Sequence, residues 1–435
     1  MGSGVVKIAF HPHTSLDLVP SGWRWSEKRV PILTRERPAD DIGPIDLGVC
    51  PVIESTDGRA KRLASLDFLR GVAAFAVAIP HYLIVTAVHA DAAEAVSVLS
   101  VEVFFALSGF VLAPQIIACA ESGRFADLGV FLVRRWMRTV LPYLVPLVVL
   151  SILYGELFSA DFFRYLLYVQ NLFGQHNARD YFPVAWSLSI EEWFYLLYPA
   201  LIMGIGRLGG FRGVRFLAVF AVTYILLFAM LRIAFGDFSD WGSHVRRVTV
   251  FREDSIAYGF LLYLAIARCE ARRAFRQRWI GAIAVPALIL AITAIVAAQV
   301  TDAIDFDQDR IAEQIFPFAA AGFGVSAVLL CYRLTPVLER SRSAWRLSLF
   351  LGRISYSIYL FHLIVALLLR PHLADIPIVL QVGIYVGLLI GLSATFYRFY
   401  EKPILAARPR YAWRETARTV GHRPVASFTD DSGNQ

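Results

Sequence analysis

The sequence predicts an all-α, polytopic transmembrane helical bundle of about ten spanning helices with both termini cytoplasmic, and three observations predict it. Hydrophobic residues make up 57% of the 435 and charged ones only 18%, where a soluble fold has about a quarter charged. That much apolar surface has no place in a water-bounded core but can face lipid. Apolar runs of bilayer length, roughly 20 residues, recur along the chain. The basic residues gather in alternate connections between them.

The runs fall near residues 66–88, 95–118, 139–154, 183–205, 214–234, 247–267, 280–299, 311–331, 347–369 and 376–399. The stretch 162–173 is too short to span and reads as a re-entrant or interfacial piece. Arg59, Lys61 and Arg62 precede the first run, and Arg124, Arg134, Arg135 and Arg138 lie between the second and third. Further basic groups follow the fourth, sixth, eighth and tenth runs, the last of them Lys402, Arg408 and Arg410. The intervening connections are shorter or acidic, with Arg246 and Arg247 as exceptions. The net charge of +7 is therefore mostly topological and gives no reason to expect nucleic acid. A multi-pass protein of the inner or plasma membrane is expected. Residues 1–62 hold no apolar run of signal-peptide length and read as a loosely ordered cytoplasmic tail; 63–403 form the membrane domain and 404–435 a disordered cytoplasmic tail. Cys50, Cys119, Cys269 and Cys331 fall at cytoplasmic positions without metal-ligand spacing, so neither disulfides nor a metal site is expected.

Ionisable residues inside spanning helices are costly unless paired or hydrated, so each is a candidate for function. The first run, LDFLRGVAAFAVAIPH, carries Asp67, Arg70 and His81 along one face. From Arg70 to His81 the helix rises about 16 Å, which puts the arginine near the cytoplasmic headgroups and the imidazole in the outer half. A snorkelling arginine and an interior histidine bonded to a neighbouring helix are the plainer reading. The run FPVAWSLSIEEWFYLLYP holds Glu191 and Glu192 at about the expected depth of His81. One of the pair must be neutral or paired, Arg252 being a candidate partner. His362, in ISYSIYLFHL, enters from the same side as His81 and reaches a similar depth. Arg252 and Asp254 could pair with each other or serve the site. Arg134, Arg135 and Arg138 could merely obey the charge asymmetry, or could clamp phosphates bidentately. Ser108 in FFALSGF has no histidine beside it in sequence, and a Ser-Gly pair in mid-helix also permits close helix packing. The acidic loop TDAIDFDQDR lacks a calcium-loop pattern. A basic layer thus faces the cytoplasm and a His and carboxylate layer lies about one pantetheine arm deeper. That spacing suits a cytosolic phosphorylated thioester.

These motifs resemble the acyltransferase-3 family of multi-pass membrane O-acyltransferases, over roughly 63–403. The resemblance rests on LDxxRGxAA with Arg70 and His81 eleven positions apart, FFxLSGF at Phe104 to Phe110, and FxxRR at Phe131, Arg134 and Arg135. WSLxxEE at Trp186 to Glu192, RxD at Arg252 and Asp254, SYSIYLFH ending at His362, and YEKP at Tyr400 to Pro403 complete it. It implies transfer of an acyl group, usually acetyl from acetyl-CoA, to a carbohydrate hydroxyl of the lipopolysaccharide, exopolysaccharide, peptidoglycan or lipid-linked glycan kind. No bound cofactor is implied; acyl-CoA is the donor substrate, membrane lipid surrounds the protein, and separate glycan-assembly partners are possible. His81 is then the expected general base and Glu191 or Glu192 its orienting carboxylate, with His362 a second acid/base or a positioning group. Arg70, Arg134, Arg135 and Arg138 would bind the donor, and Asp67, Ser108, Trp186, Ser187, Arg252, Asp254 and Tyr356 would support the site. Pro80 directly before His81 departs from the pattern and should alter the aim of the imidazole. Against this stand a proton-coupled transporter or flippase, which needs the same intramembrane groups but often shows internal repeats, and a noncatalytic scaffold.

Overall fold

The computed structural model describes residues 63–411 apart from 87, 89, 175–179, 272–284, 288, 291 and 294–309. Among these residues every regular element is helical. Long helices are α1 (Ala64–Val85), α2 (Ala90–Ser122), α6 (Ala185–Gly209), α7 (Val214–Phe235), α8 (Asp254–Ala271), α9 (Arg310–Arg340), α10 (Arg342–Leu373) and α11 (Ile378–Phe396). Shorter ones are α3 (Phe125–Trp136), α4 (Val140–Tyr154), α5 (Ala160–Leu166) and α12 (Lys402–Ala406). With no water in a hydrocarbon layer, intrahelical bonding satisfies the backbone and apolar faces meet lipid.

Eight stretches among the described residues are long and apolar enough to cross a bilayer. The third expected span gains a helical lead-in: α3 and α4 together make one such stretch, Phe125–Tyr154. The sixth run differs from expectation. Residues 241–251 fold as tight π and 3-10 turns, and helix begins only at Asp254; its eighteen residues carry Asp254, Arg268 and Glu270. Most of the seventh run, the acidic loop 301–310 but for Arg310, and residues 1–62 lie outside the described residues. The expected C-terminal tail begins later than 404, since α12 runs to Ala406 and Tyr411 is buried.

α1 is the hub, packed on α2, α9 and α10. Without a hydrophobic drive between helices in lipid, close approach depends on small residues. Gly71 lies against Leu351 and Gly352 against Asp67, so a methyl group on either glycine would overlap the partner. Gly109 and Gly259 make a second reciprocal crossing of α2 on α8, each against the other helix's backbone. This is the packing role that the Ser-Gly pair suggested. The piece after α5 is irregular chain whose buried amides are tied to the neighbouring elements: Asn171 Nδ2 donates to the Trp186 and Arg247 carbonyls, and Gln170 Nε2 to Ser189 Oγ. It belongs inside the protein, where non-helical backbone is tolerated at membrane depth.

Candidate active site

Pro80 does not break α1. The proline ring leaves the carbonyl four residues back without its amide donor, and Ser100 Oγ donates to that Ala76 carbonyl at 3.3 Å. One residue on, His81 Nδ1 lies 2.9 Å from the Val77 carbonyl and 3.3 Å from Ser97 Oγ. Opposite it on α10, His362 Nδ1 lies 2.7 Å from the Tyr359 carbonyl. A carbonyl only accepts, so each neutral ring carries its proton on Nδ1 and offers the Nε2 lone pair. The two ring centroids are 5.0 Å apart. His362 is fully buried and its Nε2 has no partner.

Tyr385 fixes this pair from α11. Its hydroxyl lies 3.0 Å from the Ala78 carbonyl and 3.2 Å from the His362 carbonyl, so one side chain ties α1, α10 and α11 together beside both imidazoles. Tyr82 stacks on it with centroids 4.5 Å apart and donates to Gln381 Oε1.

The glutamates are elsewhere. Glu191 accepts from Ser108 at 2.9 Å and from Tyr195 at 3.0 Å. It lines a cavity of about 70 Å³ with Arg70, Arg135, Arg138, Thr139 and Tyr356. His81 is not among the lining residues. Glu192 bonds Thr139, and its charge acts on Tyr168 and Tyr356. The expected carboxylate behind His81 is therefore replaced by a backbone carbonyl, and the carboxylates share a space with the arginines. The cause is register: α6 carries Ser187, not Glu191, at the level of Tyr359 near His362. Ser187 Oγ and the Tyr359 hydroxyl lie 2.5 Å apart, and Phe104 meets the Tyr359 ring edge-on at 5.8 Å. Tyr359 both lines the cavity and touches His362, with centroids 5.7 Å apart. It stands between the cavity and His362.

Of the expected donor residues, Arg70, Arg135 and Arg138 line the cavity, while Arg134 lies beside it, its guanidinium over the Tyr411 ring. Asp67 pairs with Arg70 at 3.8 Å. Ser108 lines the cavity as a donor to Glu191 and has no place beside either histidine. Tyr356 donates to the Thr139 carbonyl at 2.7 Å. Trp186 faces the other way, toward the Arg246 guanidinium 5.7 Å from its ring.

Arg252 and Asp254 pair neither with each other nor with Glu191 or Glu192. Arg252 bonds Glu102 of α2, both fully buried, and Asp254 takes a bidentate pair from Arg232 of α7 at 3.0 and 3.1 Å. Arg246 reaches Glu94 at 3.0 Å. Glu102, Arg232, Tyr359 and Tyr385 are the site's additions beyond the sequence reading. The first two carry the signal of an ionisable residue inside an apolar run; the tyrosines carry none.

The sequence model of the acyltransferase-3 family, described as an acyltransferase domain, matches residues 63–398. The chain is 27% identical over 330 residues to the O-acetyltransferase OatA of Staphylococcus aureus (strain NCTC 8325), covering 70% of this chain and 52% of that protein. It is 28% identical over 161 residues to the peptidoglycan O-acetyltransferase OatA of Listeria monocytogenes, covering 33% of this chain and 24% of that one. The matches thus span about half or less of these relatives' length. No solved structure matches the chain.

Proposed function

The chain belongs to the acyltransferase-3 family, and on that premise we propose that it moves an acyl group, acetyl in the simplest case, from acyl-CoA to a hydroxyl of a cell-surface or lipid-linked carbohydrate. The observation that carries this reading is the pairing of His81 and His362 beside an arginine-lined cavity, with one tyrosine between. The positive-inside charge pattern favours a cytoplasmic arginine layer, which fits an inner or plasma membrane protein. The names of the relatives favour a glycan as acceptor.

In this mechanism the donor's phosphates rest among Arg70, Arg134, Arg135 and Arg138, and its pantetheine arm runs past Tyr359 toward the histidines. The Arg70 to His81 rise of about 16 Å suits that reach. His81 Nε2 takes the proton of the acceptor hydroxyl as its oxygen attacks the thioester carbonyl. The C–S bond then breaks, the thiolate takes a proton from the imidazolium, and the products are an ester and free thiol. The Val77 carbonyl stabilises the imidazolium through Nδ1–H, the service a carboxylate gives in a triad. His362 Nε2 is the second acid/base or holds the acceptor. Glu191, held by Ser108 and Tyr195, and Glu192, held by Thr139, are not the groups that orient a histidine. An imidazole of ordinary pKa near 6.5 is mostly neutral at pH 7, as a base must be.

The test is transfer of labelled acetyl from CoA to a glycan extract in proteoliposomes, with wild type beside His81→Ala. Label in glycan with wild type alone supports the proposal. An active His81→Ala protein would remove His81 from the mechanism. The transporter alternative predicts uptake of solute driven by a proton gradient and no label in glycan.

A further inference from the structure

Beyond the last long helix the chain turns back onto α3. The Pro409 carbonyl accepts from Arg134, whose guanidinium also lies 4.9 Å over the Tyr411 ring. The Tyr411 hydroxyl reaches Gln115 Oε1 at 3.1 Å, and Arg135 reaches the same oxygen at 3.2 Å. Residues 409–411 are thus sewn to both arginines of the FxxRR element. Arg408, immediately before this strap, is half-buried beside Arg134, Arg135 and Arg138.

Four guanidiniums gathered in a partly dry place repel one another, and elsewhere in this protein such charge is balanced. Arg232, Arg246 and Arg252 each meet a carboxylate. Among the described residues none of Arg134, Arg135, Arg138 and Arg408 has a carboxylate within ion-pair distance. Glu191 and Glu192 act on Arg135, and Glu401 on Arg138 and Arg408, only at longer range; Glu191 is held by Ser108 and Tyr195, and Glu401 by Ser357. Three of the four, Arg134, Arg135 and Arg408, keep a buried Nε with no hydrogen-bond partner. Burial and the three neighbouring cations push Arg408 down to about 9. Orphaned donors together with unbalanced charge are what a phosphate ligand would satisfy, through charge-assisted and bidentate bonds.

We propose that Arg408 is a further phosphate ligand of the donor site, joining Arg70, Arg134, Arg135 and Arg138, and that the 409–411 strap holds it in place. This rests on the acyl-CoA donor proposed above. The shared chemistry is a phosphate anion, and an anionic lipid headgroup is the competing source.

The experiment is binding of CoA, of dephospho-CoA and of pantetheine to the full chain in neutral-lipid nanodiscs, for wild type, Arg408→Gln and Arg408→Lys. Thermal melting of each unliganded variant reports its fold. The expected result is CoA binding at least about tenfold weaker in Arg408→Gln, partly restored in Arg408→Lys, with pantetheine binding unchanged. A loss for CoA but not for dephospho-CoA would assign Arg408 to the 3′-phosphate; an equal loss for both would assign it to the diphosphate. Wild type binding CoA with Arg408→Gln matching it within twofold overturns the role of Arg408 and leaves the donor standing. Wild type that ignores CoA overturns the donor and this role of Arg408 together. Stabilisation by phosphatidylglycerol alone, lost in Arg408→Gln, would make the anion a lipid.

Discussion

His81 and His362 come from helices far apart in sequence, yet their rings sit 5.0 Å apart with each Nδ1 turned to a backbone carbonyl of its own helix. Two neutral imidazoles with free Nε2 lone pairs are thereby held side by side without a carboxylate behind either. Removal of a general base typically costs 10²–10⁴ in rate. His81→Ala is expected to lower acetyl transfer by at least about 100-fold with donor affinity unchanged. His362→Ala separates its two possible roles. As acid/base it lowers kcat; as an acceptor ligand it raises the acceptor KM. Initial-rate kinetics on both variants check this, and full activity in either would remove that residue from the chemistry.

Tyr385 bridges the Ala78 and His362 carbonyls with one hydroxyl. Replacing it with Phe keeps the stack on Tyr82 and leaves the bridge unmade, at a cost of about 1 kcal/mol in stability. The larger effect is expected in catalysis, since small misplacement of a reacting group costs far more than the bond itself. Tyr385→Phe should lower kcat about tenfold or more while donor KM stays near wild type. A kcat equal to wild type would show that the histidines hold their places without the bridge.

Tyr359 stands between the cavity and His362, and its hydroxyl meets Ser187. If the donor's arm passes here, a smaller side chain widens the route. Tyr359→Ala is expected to let longer acyl chains be transferred relative to acetyl, measured as the ratio of kcat/KM for hexanoyl and acetyl donors. An unchanged ratio would place the acyl group on another path.

How much of this was legible follows from what each residue does. The helices and the side preference of the arginines come from composition and periodicity, which act locally and need no partner. Arg70 and Glu191 stand out as misfits in lipid, and Arg135 and Arg138 as a basic cluster at a helix mouth; all four line one cavity. Glu191 does not stand behind His81 because α6 presents Ser187, not Glu191, at the level of Tyr359 and His362, a register that depth along a single helix does not reveal. Tyr359 and Tyr385 look like ordinary aromatic residues of a spanning helix, and only the fold shows where their hydroxyls go. Glu102 was open to the misfit rule and stood in plain view in SVEVFF; its partner Arg252 was read instead with the wrong carboxylates.

Glu102 of α2 and Arg252, in the turn just before α8, form a fully buried ion pair. Breaking such a pair from one side leaves the other charge uncompensated, which costs about 3–5 kcal/mol. Removing both charges together is often far cheaper. Arg252→Met is therefore expected to destabilise the protein strongly, and Arg252→Met with Glu102→Leu to recover much of the loss. If the pair only cements the bundle, the double variant should also regain acyl transfer. If its charges serve the reaction, stability should return while activity does not. Melting of the detergent-solubilised variants beside initial rates in proteoliposomes separates the two, and a single variant as stable as wild type would show that the pair does not hold α2 to the turn before α8.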